Sequence, residues 1–131
     1  MKLNMNIKED KVKEHLFIRG VNSFNKRRFY EAHEFWEDLW TEYRLDDDKL
    51  VQGFIQLSVG SFHITNSNKR GAINLLNKSL NKFKLFEGVQ RRIEVLSITA
   101  NINNILSHLN YIDKVEDFNW KIVKEIRCID E

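Results

Sequence analysis

FYEAHEFWEDLWTEY, residues 29–43, is the stretch on which the fold turns. At about 100° per residue, Phe29, Ala32, Phe35, Trp36, Leu39, Trp40 and Tyr43 spread over one wide arc, while Glu34, Asp38 and Glu42 fall opposite. The pattern predicts a helix over 29–43 that buries one face. His33 and Glu37 stand four apart with Trp40 three further on, which in a helix makes one vertical row. That row runs along the border of the buried face and is the first candidate for chemistry.

Upstream, a helix is predicted from near Asp10, with Val12, Leu16, Phe17, Gly20, Val21 and Phe24 on one half of its surface. His15 lies off that face and reads as a solvated side chain. Asn25-Lys26-Arg27-Arg28 breaks the period, and Asn25 is the residue best suited to a left-handed turn position there. Downstream, Leu45-Asp46-Asp47-Asp48 interrupts again, its aspartates suited to cap and begin the next helix. That third helix, about 48–66, is apolar nearly all round and reads as central and buried on most sides. Gln52, Gln56 and His63 nevertheless form a polar row along it, beside Gly53 and Gly60, whose missing side chains predict close helix packing.

Asn66-Ser67-Asn68 ends the third helix and caps a fourth over about 69–86, with Gly71 read as another close-packing position and Gly88 as the stop. Residues 89–96 read as a connector anchored by Ile93 and Leu96, and Ser97 as the cap of a fifth helix carrying Ile98, Ile102, Ile105, Leu106 and Leu109. His108 sits beside that stripe and reads as structural or exposed. Residues 113–131 fit a helix and a strand about equally, with a lean to a short helix after Asp117. The expectation is an all-α fold: one compact domain, 1–131, of five to six mostly antiparallel helices in a bundle or array.

Composition sharpens this expectation. The 131 residues hold no proline and five glycines, which suits long uninterrupted helices, and the length is enough for one hydrophobic core. A net charge of +2 is too small to imply a polyanionic partner, so nucleic acid is not the default. The single cysteine, Cys128, excludes an internal disulfide and a cysteine-based zinc site. The charged N-terminus lacks the apolar core of a secretory signal, and no later run is long enough to span a bilayer, so a cytoplasmic location away from membranes is expected. A homo-oligomer built on an aromatic patch stays open.

If the second and third helices pack antiparallel, His33, Glu37, Gln52, Gln56 and His63 can meet. Two histidines and a carboxylate can hold one divalent transition metal such as zinc, manganese, nickel or iron. His33, Glu37 and His63 are then ligands, or Glu37 is a general base, and Gln56 supports them. The competing reading is a satisfied polar network between helices, because an unpaired buried polar group costs about 1–3 kcal/mol. From the residues alone the network stands ahead. A separate binding-module reading takes Lys26-Arg27-Arg28, Lys69-Arg70, Lys78, Lys82, Lys84 and Arg91-Arg92 as a basic face for an acidic partner.

The blocks FNKRRFYEAHEFWEDLW, QGFIQLSVGSFH and NKRGAINLL resemble the small helical bacterial and archaeal family called domain of unknown function 309, over roughly residues 24–83. Its hallmark, a His, a Glu four on and a Trp or Tyr three beyond, is matched by His33, Glu37 and Trp40. Glu34, Gln52-Gly53, Gln56, His63 and Gly71-Ala72 match as well. The resemblance implies an all-helical core, about 24–86, and a His/Glu motif suspected of binding metal, with no established activity. Lys26-Arg27-Arg28 departs from the pattern, where a glycine is frequent. With the resemblance the site and network readings stand level, and metal-assisted hydrolysis with Glu37 as base is the reaction class the side chains would allow.

Overall fold

The computed structural model describes residues 2–129, with side chains described from residue 7 onward. Five α-helices follow in order: α1 Lys2–Asn25, α2 Phe29–Glu42, α3 Asp48–Thr65, α4 Lys69–Phe83 and α5 Val95–Tyr111. A two-stranded hairpin, β1 Val89–Gln90 and β2 Ile93–Glu94, lies between α4 and α5. The helices pack in sequence, α1 on α2, α2 on α3, α3 on α4 and α4 on α5. The expected all-α array is what the chain forms.

α3 is central, as its all-round apolarity requires. Phe54 of α3 meets Phe17 of α1, Trp36 of α2 and Phe83 of α4, with ring centroids 5.2, 5.2 and 4.9 Å apart. One aromatic cluster therefore ties four helices together. Trp36 is fully buried and donates its indole N–H to the Phe17 carbonyl at 3.1 Å. A Cβ on Gly20 would run into the Trp36 indole ring, so only glycine lets that ring lie on α1. Gly60 acts similarly between α3 and α4, where a Cβ would come within 2.9 Å of the Leu76 Cγ.

Several expectations need correction. α1 starts at Lys2 rather than near Asp10, because nothing from 2 to 9 breaks a helix and Glu9 pairs with Lys13 at 3.4 Å. Val12, placed on the apolar face, is exposed, since burial on α1 begins only around Leu16 and Phe17. The left-handed residue of the α1–α2 turn is Arg27 (φ 62°), not Asn25, which stays helical. Gly71 does not receive another helix: a Cβ there would meet Asn68, whose side chain caps α4 by accepting from the Gly71 N–H at 2.9 Å.

The connector after α4 also differs. α4 ends at Phe83, and Gly88 (φ 68°) sits five residues later, before β1. The hairpin turns through Arg91 and Arg92, both left-handed (φ 50° and 60°), at positions usually given to Asn and Gly. Arg91 is held there by a bidentate pair with Asp47 (2.7 and 3.0 Å) and lies 4.7 Å over the Phe17 ring. Ile93 is buried as expected, but Leu96 is exposed. Glu94, not Ser97, precedes the first residue of α5, and the Ser97 hydroxyl donates back to its carboxylate.

The tail makes two single 3-10 turns, Val115–Asp117 and Trp120–Ile122, in place of the short helix, and then runs extended to residue 129. Its backbone is pinned by side chains. Asn25 donates to the Ile126 carbonyl and accepts from its N–H (2.9 and 2.8 Å), while Asn101 does the same to the Ile122 carbonyl and the Lys124 N–H (2.7 and 3.1 Å). His108 accepts from the Asn119 N–H at 2.9 Å, a structural role that agrees with its reading. Among the described residues no helix is long and apolar enough to cross a membrane.

Candidate functional site at the α2–α3 seam

α2 places His33 and Glu37 one turn apart on the flank where it meets α3. The His33 Nε2 and a Glu37 carboxylate oxygen are 2.7 Å apart, with His33 mostly buried and Glu37 about half exposed. A contact that short with a carboxylate puts the ring proton on Nε2. In the neutral ring Nδ1 is then a bare lone pair, and it is buried with no hydrogen-bond partner. The row His33, Glu37, Trp40 therefore divides: the first two hold each other, while Trp40 stays 39% exposed and Trp36 takes the core position.

Tyr30, one turn before His33, orients the seam. Its ring lies 5.4 Å from the His33 ring and 5.4 Å from that of Phe62 on α3. That contact fixes the antiparallel register, and stepping one turn along each helix brings His33 level with about Val59, between Gln56 and His63. The row on α3 is half-buried throughout. Gln56 turns its carbonyl oxygen inward, and that atom too is buried without a partner. Two buried acceptors without partners thus stand one on α2 and one on α3.

The other candidates are placed differently. His63 Nδ1 lies 3.3 Å from the Asn68 side-chain amide, so the turn that caps α4 engages it. Glu34 is exposed and lines a shallow surface depression of about 410 Å³ with Tyr30, Phe62 and Thr65. Gln52 is half-buried one turn before Gln56. Among the described residues no three or more His, Cys, Asp or Glu stand grouped to hold a metal ion, so His33, Glu37 and His63 do not form a ready three-ligand shell in this conformation. Tyr30 and Asn68 join these contacts without a sequence motif of their own, although Tyr30 stands three residues before His33, on the same side of α2.

The basic-face reading loses members for a physical reason. Arg91 is committed to Asp47, and the Lys69 ammonium donates to the Ile112 carbonyl at 2.8 Å. α2, by contrast, presents Glu31, Glu34, Glu37, Asp38 and Glu42. Elsewhere, the Glu116 carboxyl is held below the usual carboxylate range by its own backbone N–H and then by the Ser67 hydroxyl.

An all-α array with an oriented His–Glu pair on an inter-helix seam is the class of protein these features define. Residues 17–75, from the buried part of α1 through α2 and α3 into α4, match the family model described as Domain of unknown function (DUF309). The match starts earlier on α1 than the resemblance did and contains both seam helices. No curated protein matches the chain.

Proposed function

We propose that the α2–α3 seam is a binding site for a small cation, either a divalent metal or an organic ammonium or guanidinium group. The observation that carries the reading is the pair of buried acceptors without donors, His33 Nδ1 and Gln56 Oε1, on facing helices. Leaving such atoms desolvated costs about 1–3 kcal/mol each, and a ligand that offers only positive charge or donors removes that cost. Tyr30 and Trp40, both exposed at the surface of α2, supply aromatic faces suited to a cation.

In this reading Glu37 is an orienting residue. It fixes the tautomer and rotation of His33 so that Nδ1 faces the ligand, an arrangement common to histidines that hold metals. His63 would join only by releasing Asn68, which makes it a ligand of a rearranged state. Hydrolysis would need Glu37 free as a base, whereas one of its oxygens is committed to His33, so the reading is of binding.

Protein purified without chelator is assayed for metal, and melting temperature is followed with zinc, manganese, nickel, methylammonium and agmatine in turn. One class of cation raises the melting temperature, and His33→Ala and Gln56→Leu abolish the rise. Metal-free protein that responds to none of the five contradicts the proposal. Metal response alone selects the metal arm, and amine response alone the organic one.

A further inference from the structure

A second cavity, sharing no residue with the seam, opens between the extended tail and α5. It has a volume of about 570 Å³ and is lined by Phe24, Leu57, Ile98, Ile102 and Ile126 within and by charged side chains at its rim. That volume falls within the roughly 300–1,000 Å³ of small-molecule sites. We propose that this cavity binds a small, uncharged, largely apolar molecule, with residues 122–127 as its lid.

The chemistry of the lining selects the ligand. Polar groups that face the cavity are already engaged: Asn101 uses both its amide nitrogen and its oxygen on the tail backbone, and the Ser97 hydroxyl donates to Glu94. A ligand that depends on hydrogen bonds would have to break these. The rim carries Glu94 and Glu125 against Lys124 and Arg127, two charges of each sign, so it favours neither an anion nor a cation. What is left to offer is apolar surface and shape.

The lid follows from how the tail is held. Residues 123–129 have no helix or strand of their own, and only one of their apolar side chains, Ile126, is fully buried. Asn25 pins the lid at Ile126, Asn101 pins it at Ile122 and Lys124, and the Ile129 N–H reaches the Arg92 carbonyl. Of the two clamping asparagines, Asn101 is the one that itself lines the cavity. Releasing it lets residues 122–124 lift while Asn25 still anchors Ile126.

The test uses the neutral dye N-phenyl-1-naphthylamine with the full chain, read by fluorescence. Saturable binding of one dye per chain is expected, with slower hydrogen exchange at residues 122–127. Ser97→Trp, at the exposed rim, and Ile98→Phe, within, should each weaken binding by about tenfold or more. Ser97 is exposed, so that variant stays informative if Ile98→Phe misfolds. Asn101→Ala should speed both association and release. Absence of saturable binding, or binding that Ser97→Trp leaves unchanged, overturns the proposal, the second by showing that the dye sits elsewhere. His33→Ala should leave dye binding intact, which keeps this outcome separate from that of the cation site.

Discussion

The tail and the α2–α3 seam use the same kinds of side chain in opposite ways. Along the tail, Asn25, Asn101, His108 and Asn119 all bond backbone groups, and the two clamping asparagines use both ends of their amides. At the seam, His33 and Gln56 each leave a buried acceptor without a donor. A chain that satisfies amides and imidazoles so fully in irregular backbone has the means to do so between two regular helices. The contrast marks the seam as a place where stability is held below what the fold could reach, as sites for ligands often are.

The comparison can be broken at either end. The largest effect belongs to the tail: Asn25→Ala leaves the N–H and C=O of Ile126 without partners and should cost about 2–3 kcal/mol in urea denaturation. A loss under about 0.5 kcal/mol would show that water replaces the clamp and would weaken the contrast. The seam should answer with the opposite sign. Gln56→Leu removes an orphaned acceptor and should stabilise the cation-free protein by about 1 kcal/mol; a comparable loss would mean that Gln56 belongs to a satisfied network.

Smaller effects sharpen the same line. Glu37→Ala removes a pair about half open to solvent, so its cost should stay below about 0.5 kcal/mol, while the cation response of the protein falls sharply. A large stability loss with the response intact would reverse the role given to Glu37. Smallest is the pH dependence at Glu116. Its carboxyl is depressed in the folded state, so its contribution is in place above the unfolded carboxylate pKa and fades as pH falls through the folded value. Parent and Glu116→Gln should therefore differ slightly near neutrality and converge in acid, as pH-dependent melting curves would register.

Period and composition made most of the helical architecture legible, because α2, α3, α4 and α5 each carry a stripe that only a helix can bury. The hairpin was not legible, since Arg91-Arg92 is the reverse of a turn signal; its left-handed backbone is held by Asp47 and Phe17, both distant in sequence. The tail failed to read for a related reason: its structure comes from side chains on α1 and α5, not from its own propensity. At the seam, the i, i+4 spacing puts His33 and Glu37 in one row, and their side chains meet there. Spacing could not say that His63 would turn to Asn68, a contact set by the α3–α4 turn.

The most direct measurement is of the His33 ring nitrogens by long-range proton–nitrogen NMR on the cation-free protein, repeated with whichever cation raises the melting temperature. The account predicts a proton on Nε2, a bare Nδ1 with no donor, and an Nδ1 resonance that shifts on addition of that cation. An Nδ1 already hydrogen-bonded to the Gln56 amide, and indifferent to every cation tried, would contradict it and leave the seam as a structural network.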